Sequence, residues 1–227
     1  MPEPLVESAE PEKALAGVRK RIAEACRRAG RHPDDVCLIG VTKSVPPDEV
    51  RRAAAAGLRE FGENYVRDME TKRTAAPEAT WHFLGRLQRN KVRRVLDVAD
   101  VVQALEPGRA TERMAEVAQQ RGRVVRCMVE IDFTGTRVGV GADQAEAFLA
   151  ALQDLPSLEV VGLMTVAPLD GPSRPYFARL RELRDRLSGR FPGLRELSMG
   201  MSADYEEAVE EGATMVRVGT AIFGPRP

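Results

Sequence analysis

The sequence has few cysteines and no cysteine pair of the CxxC type. Cys26, Cys37 and Cys127 lie far apart in a chain of 227 residues. An odd number of widely spaced cysteines does not make a disulfide framework, and without a CxxC pair the spacing of a zinc site is missing. We therefore exclude a disulfide-stapled or zinc-ribbon fold and predict that the protein resides in a reducing compartment.

Long apolar runs and an excess of either charge are also missing. No apolar stretch reaches the roughly 20 residues that a membrane-spanning helix needs. Lysine plus arginine and aspartate plus glutamate number 34 each, so net charge does not indicate nucleic acid or a membrane as a partner. Residues 1–10 are acidic and contain proline, unlike a signal peptide. We predict a cytoplasmic monomer in which residues 1–10 form a flexible lead-in.

The sequence does contain a regular alternation of strand and helix patterns. Eight short apolar runs are predicted as strands, with a helix after each of the first seven and one helix, 11–30, in front. The predicted strands are 36–41, 58–61, 80–84, 100–105, 124–132, 159–166, 195–198 and 214–218. Eight strands that alternate with helices most simply close into a (β/α)₈ barrel of the α/β class. We predict one such domain over residues 1–227, and a doubly wound open sheet is the alternative.

Lys43 follows the first predicted strand and comes shortly before two prolines that end strand pairing. If side chains alternate along the strand, Lys43 shares a face with Val41, Ile39 and Cys37 and rises from an apolar floor. An apolar environment disfavours the charged form of an amine, and a neutral amine is a nucleophile that condenses with aldehydes. Taken alone, this stretch also fits a solvated lysine at a strand end.

Two loops with glycine and hydroxyl residues follow the last two predicted strands. They are residues 198–202 (SMGMS) and 219–224 (GTAIFG). In a (β/α)₈ barrel the active face lies at the carboxyl ends of the strands, and the seventh and eighth loops frequently hold a phosphate there. Gly219 lets the backbone approach an anion closely, and the hydroxyls of Ser202 and Thr220 can donate to it. Plain turns are the alternative interpretation.

An amine and a phosphate site at one barrel mouth fit a ligand that carries an aldehyde and a phosphate. Pyridoxal phosphate has both groups, and we expect the phosphate loops on the side of the mouth opposite Lys43. Arg217 is predicted to face the interior beside the pyridine nitrogen. Because arginine keeps its proton, it can only donate to that nitrogen, which weakens the ring as an electron sink. A phosphosugar enzyme with Lys43 as an aldolase-type nucleophile would use the same residues.

Five segments, in the same order, resemble the pyridoxal phosphate homeostasis protein family. They are residues 42–43 (TK), 61–66 (FGENYV), 81–91 (WHFLGRLQRNK), 198–204 (SMGMSAD) and 216–224 (VRVGTAIFG). The resemblance covers nearly the whole chain and implies a single barrel similar to the amino-terminal domain of alanine racemase. It also implies that the cofactor is bound as a Schiff base, that the protein helps to maintain vitamin B6 balance, and that no catalytic reaction is established.

The resemblance further implies roles for individual residues. The cofactor-binding residues that it implies are Lys43, Asn64, Tyr65, Ser202, Arg217, Gly219 and Thr220. Lys43 matches the Schiff-base lysine and Arg217 the arginine beside the ring nitrogen. The serine, glycine and threonine match phosphate contacts, whereas Asn64 and Tyr65 belong to the segment near the ring.

Two functions use the same lysine. One is a non-catalytic carrier or buffer of pyridoxal phosphate, which would serve apo forms of enzymes that need it. The other is an amino-acid racemase or decarboxylase. Racemisation needs an acid and a base on opposite faces of the substrate carbon, and the racemases compared take one of these from a second domain. Since this chain ends at Pro227, just past the eighth predicted strand, we favour the carrier.

Other notable residues have ordinary interpretations. His82, between two aromatic residues, is predicted as a hydrogen-bonded barrel histidine and not a metal ligand. The basic run from Arg86 to Arg94 is predicted as a solvated helix face, because no aromatic residues interleave for base stacking. The glycine-rich stretch 135–141 is predicted as a mobile flap, since no acidic partner of a dinucleotide site follows it. Cys37 is predicted to pack in the core.

Overall fold

Parallel strands alternate with helices through most of the described chain. The computed structural model describes residues 11–136, 138–168 and 170–225, so the predicted lead-in 1–10 lies outside it. The strands are β1 (Cys37–Val41), β2 (Glu60–Glu63), β3 (Thr80–Phe83), β4 (Val101–Leu105), β5 (Val125–Asp132), β6 (Val140–Gly141), β7 (Leu158–Met164), β8 (Glu196–Ser198) and β9 (Met215–Val218). The helices are α1 (Pro11–Arg28), α2 (Pro47–Ala55), α3 (Val66–Arg73), α4 (Val92–Val98), α5 (Arg109–Gln120), α6 (Ala145–Gln153), α7 (Arg174–Ser188), α8 (Tyr205–Glu210) and α9 (Thr220–Phe223).

Eight of these strands close into a barrel. β1 pairs in parallel with both β2 and β9, while β4 pairs with β5 and β5 with β7. Among the residues described, the short strand β6 pairs only with β5, beside the ring of eight. The predicted (β/α)₈ barrel is therefore confirmed, and the open-sheet alternative is wrong.

The outer face of the barrel strands is apolar and covered by helices, whereas the inner face combines a small apolar cluster with buried polar residues. The outer layer includes a stacked pair, Phe61 and Trp81, with ring centroids 5.3 Å apart. A separate, smaller cluster on the inner face contains Ile39 from β1 and Met215 from β9, with Cys37 packed against it. Within the ranges described, no helix is both long and apolar enough to cross a membrane.

Most predicted boundaries differ from the structure by one or two residues, and three segments differ in other ways. β2 begins at Glu60, later than predicted, because Gly57, with φ 87°, ends α2 and residues 57–59 are needed to turn into the strand. The helix predicted after the third strand begins as a 3₁₀ turn, Arg89–Lys91, and is α-helical only as α4. The glycine-rich stretch 135–141 ends in β6, so its last two residues are held by β5; Arg137 within it lies outside the described residues.

Candidate functional site

Lys43 lies in a tight turn immediately after β1. The Val45 N–H donates to the Thr42 carbonyl at 2.8 Å, and Ser44 between them has φ 63°, a left-handed value that is uncommon outside glycine. Lys43 is half-buried, and its Nζ lies 5.7 Å from the centre of the Tyr65 ring. The predicted lysine at the strand end is therefore at the barrel mouth, in a cation–π contact with the segment that follows β2.

Asn64 and Tyr65 form that segment, the short turn between β2 and α3. Tyr65 is 52% exposed, so one side of the mouth is open to solvent. Asn64 is half-buried, and the turn after β3 packs closely against it. A Cβ on Gly85 would lie 2.1 Å from the Asn64 carbonyl oxygen, so only glycine fits there. The structure thus places the Tyr65 ring beside the Lys43 amine, and Asn64 is the residue immediately before Tyr65.

A serine hydroxyl joins the two predicted phosphate loops. Ser202 Oγ accepts hydrogen bonds from the N–H groups of Gly219 and Ala221, both at 3.2 Å. Thr220 between them is exposed, and in the described chain neither its N–H nor its hydroxyl has a partner. The Ser202 hydroxyl hydrogen and the two Thr220 donors can therefore bind an anion at this point.

These loops lie beside Lys43, so the prediction that they lie opposite it across the mouth is wrong. In the pairing of β1 with β9, Ile39 is opposite Arg217 and Gly40 is opposite Val218. A Cβ on Gly219 would lie 3.2 Å from the Val41 carbonyl oxygen, two residues before Lys43. The physical reason is closure: in a closed barrel the last strand is the neighbour of the first. A ligand that reaches both sites has to span only two adjacent strands.

Arg217 faces the barrel interior, as predicted, and is only 5% exposed. Its Nη1 donates to Ser198 Oγ at 2.6 Å, and its Nη2 donates to the Thr165 carbonyl at 2.7 Å. These bonds fix the guanidinium between β8 and the end of β7. It lies two residues before Gly219, in the interior below the phosphate loops.

From Ser198 a chain of hydrogen bonds continues through the barrel. Ser198 Oγ donates to Gln103 Oε1 at 2.7 Å, and Gln103 Nε2 lies 2.9 Å from His82 Nδ1. His82 Nε2 in turn lies 2.8 Å from Glu60 Oε2. Because Gln103 donates to Nδ1, we assign the imidazole hydrogen to Nε2, where it donates to Glu60. The prediction of a hydrogen-bonded barrel histidine is confirmed.

Of the residues in this series of hydrogen bonds, sequence reasoning missed Gln103 and Glu60, and it singled out Ser198 only as the first residue of a predicted phosphate loop. Gln103 is a lone polar residue in the apolar strand β4, and Ser198 ends β8 at the mouth. A polar residue at an inward position of an apolar strand is a usable signal, because a buried polar group needs a hydrogen-bond partner. That signal would have predicted a polar interior but not the order of its contacts.

Two groups near this interior have shifted pKa values. Burial raises the pKa of the Cys37 thiol to about 12, helped by the charges of Glu60 and Glu196, which agrees with the predicted packing role of this cysteine. Burial also raises the pKa of Asp204, although the hydrogen bond from the Met201 N–H and the nearby Arg217 charge act in the opposite direction. Asp204 Oδ1 accepts from that N–H at 2.6 Å and so shapes the loop after β8.

The basic run lies on the surface, as predicted. Arg86 pairs with Glu106 at 2.9 Å and Arg94 pairs with Glu70 at 2.6 Å. The hydrogen bond from Arg94 lowers the pKa of Glu70 below its ordinary value. Part of the positive charge of this run is therefore balanced by carboxylates of neighbouring elements.

Comparisons with known proteins agree with this architecture. The family model described as alanine racemase, N-terminal domain, matches residues 15–227. The pyridoxal phosphate homeostasis protein of Aquifex aeolicus is 39% identical over 220 residues, which cover 93% of this chain and 96% of that protein. The protein of the same name from Escherichia coli K12 is 33% identical over 222 residues, covering 93% and 95%.

The chain is also similar to solved structures over most of its length. PipY of Synechococcus elongatus PCC7942, solved with pyridoxal phosphate bound, is 35% identical with a TM-score of 0.83, covering 94% of this chain and 100% of that one. An alanine racemase of Clostridium difficile 630 has a TM-score of 0.77 at 16% identity, covers 96% of this chain and 57% of that one, and shares the fold alone. The barrel and its mouth loops therefore agree with the sequence identities of 39% and 33%, which extend over 93% of this chain. The chain belongs to the pyridoxal phosphate homeostasis protein family.

Proposed function

We propose that this protein binds pyridoxal phosphate covalently through Lys43 and acts in the homeostasis of that cofactor. The observation that carries the proposal is the pairing of β1 with β9, which sets the Lys43 turn beside the Gly219 loop above the buried Arg217. The names of the relatives, and the pyridoxal phosphate bound in PipY, support the same ligand.

The residues at the mouth fit each part of this ligand. The Lys43 amine can condense with the aldehyde, forming a C=N bond and releasing one water, so that the cofactor is held as a Schiff base. Ser202 and Thr220 offer hydroxyl and backbone donors to the phosphate, and Gly219, which has no side chain, lets the loop backbone approach it. Arg217 can donate to the ring nitrogen, and Asn64 and Tyr65 border the ring.

A carrier explains the site better than a racemase or decarboxylase. Arg217 keeps its proton and donates it only as a hydrogen bond, so it does not strengthen the ring as an electron sink in the way an acidic partner does. Tyr65 and Thr220 are exposed, and an open site lacks the exclusion of water that favours chemistry on a bound substrate. We propose a non-catalytic, single-domain monomer in the cytoplasm that passes the cofactor to apo-enzymes.

A transfer assay tests this function. The protein loaded with pyridoxal phosphate is mixed with an apo-aminotransferase while a phosphatase destroys the free cofactor. The expected result is that aminotransferase activity recovers further than with an equal amount of free cofactor, and that Lys43→Ala protein gives no such protection. Recovery no better than with free cofactor would refute the carrier, and amino-acid turnover well above that of free cofactor would refute the non-catalytic role.

A further inference from the structure

Behind the turn that carries Lys43 lies a buried ion pair. Glu63, the last residue of β2, has no exposed surface, and Lys72 on α3 is only 5% exposed. The Lys72 Nζ lies 2.6 Å from Glu63 Oε2. Removing two charges from water is costly, and apolar residues of the same size are often at least as stabilising. Stability alone is therefore a weak explanation for this pair.

The Glu63 carboxylate gathers donors from three parts of the mouth. Its Oε2 accepts from Lys72 Nζ and, at 3.0 Å, from Thr42 Oγ1. Its Oε1 accepts from the N–H groups of Asn64 at 2.7 Å and Tyr65 at 3.3 Å. One side chain thus holds the end of β1, the turn after β2 and the helix α3.

Lys72 adds a bond to the peptide that carries Lys43. Its Nζ donates at 2.6 Å to the Thr42 carbonyl, which belongs to the peptide bond between Thr42 and Lys43. The same carbonyl accepts from the Val45 N–H and closes the turn in which Ser44 has φ 63°. A residue in this strained region persists only where surrounding contacts hold it. The ammonium of Lys72 supplies such a contact.

We propose that Glu63 and Lys72 are positioning residues that hold the Lys43 amine and the Asn64–Tyr65 segment in the geometry that receives the cofactor. The inference rests on the proposed function, because it assigns the pair to the site at which Lys43 forms the Schiff base. Neither residue touches the cofactor in this account. Both act on the backbone, one through the amides of the turn after β2 and the other through the carbonyl before Lys43.

The test compares variants that remove these contacts with a control on the same helix. Glu63→Met/Lys72→Met removes both buried charges and the acceptor oxygens together, and Thr42→Val removes one hydroxyl bond at nearly constant shape. Arg73→Met is the matched control, because Arg73 is the next residue on α3 and binds Asp100 and the Val98 carbonyl, away from the Lys43 turn. For each protein we measure unfolding in urea without cofactor, and then the rate of Schiff-base formation with pyridoxal phosphate by stopped-flow absorbance.

The double variant is expected to form the Schiff base about 10–100-fold more slowly, since a misplacement of about 1 Å can cost about that much. Thr42→Val is expected to show a smaller loss in the same direction. Arg73→Met is expected to lose stability but to keep the wild-type rate. An unchanged rate in the double variant and in Thr42→Val, or an equal loss in Arg73→Met, would overturn the proposal.

Hydrogen exchange measured without cofactor tests the positioning role independently of the proposed function. The Asn64 and Tyr65 amides are expected to exchange faster in Glu63→Met/Lys72→Met than in wild type, because methionine has no oxygen to accept from them, while amides in α5 stay unchanged. Equal protection in both proteins would overturn the positioning role. If wild type forms no Schiff base at all, the proposed function fails, but this exchange result still decides whether the pair holds the segment.

Discussion

At the scale of single residues, Gln103 holds the polar interior of the barrel together. Its amide oxygen accepts from Ser198 and its amide nitrogen donates to His82, so each end has one chemical role. Through Ser198 the chain reaches Arg217, and through His82 it reaches Glu60. A single amide therefore fixes both the imidazole tautomer and the serine that accepts from the arginine.

Replacing this amide is expected to destabilise the fold. Gln103→Met keeps the size of the side chain but leaves His82 Nδ1 and the Ser198 hydroxyl without their buried partner, and each unpaired group costs about 1–3 kcal/mol. We expect a loss of about 2–5 kcal/mol in the free energy of unfolding, measured in urea. The control is Gln120→Met, at an exposed position on α5, for which a change within about 0.5 kcal/mol is expected. Equal, small changes in both variants would contradict this role of Gln103.

Residues whose place at the mouth follows from position in the chain could be predicted, whereas residues that are placed by their contacts could not. Lys43 follows an apolar strand and comes before two prolines, and Arg217 stands in the last strand before a glycine, so the places of both could be predicted from the sequence. The ion pair of Glu63 with Lys72 gave no such signal, because nothing in the sequence says that a lysine on a polar helix is buried. Its burial depends on the packing of α3 against β2.

At the scale of elements, charged side chains tie α8 to two other helices. Glu210 on α8 accepts from Arg28 of α1 at 2.5 Å and also pairs with Arg174 of α7. The hydrogen bonds from Arg174 and Arg28 lower the pKa of Glu210 below its ordinary value of 4.5. α8 also packs against the loop after β8, where a Cβ on Gly200 would lie 2.5 Å from the Ala208 Cβ. The ion pairs thus help to hold the helix that supports one of the phosphate loops.

The stabilisation from Glu210 is expected to depend on pH in a defined direction. Because the pKa of Glu210 is lower in the folded state, its contribution is complete above the ordinary value of 4.5 and is lost as the pH falls through the folded value. Glu210→Gln is therefore expected to lower Tm by up to about 3 °C at pH 7, the size typical of exposed pairs. The difference from wild type should shrink as the pH falls below 4.5. A difference that stays constant down to pH 3 would contradict this account.

Most elements could be predicted from periodicity, but their ends could not. All eight barrel strands were predicted because short apolar runs between glycines and helical patterns are a strong local signal. β2 was placed too early because Leu58 is buried before the strand begins, and an apolar residue in a turn looks like a strand residue in the sequence. β6 was missed because it has two residues and depends on pairing with β5.

At the scale of the whole molecule, closure of the barrel brings the parts of the candidate site together. β1 and β9 are separated by most of the chain, yet their pairing puts the Lys43 turn beside Gly219 and sets Arg217 opposite Ile39 in the interior. The eight-stranded fold could be predicted by counting, and the type of ligand from the residues at the strand ends. The predicted arrangement around the rim was wrong, because it placed the last loops opposite Lys43 although closure of the barrel makes the last strand the neighbour of the first.

The most direct test of the central claim is to locate the attached cofactor. Protein incubated with pyridoxal phosphate is reduced with borohydride, digested and analysed by mass spectrometry, with Lys43→Ala protein treated in parallel. The account predicts a single stoichiometric phosphopyridoxyl group on the peptide containing Lys43, and none in the variant. Modification spread over surface lysines, or equal labelling of the Lys43→Ala protein, would contradict it.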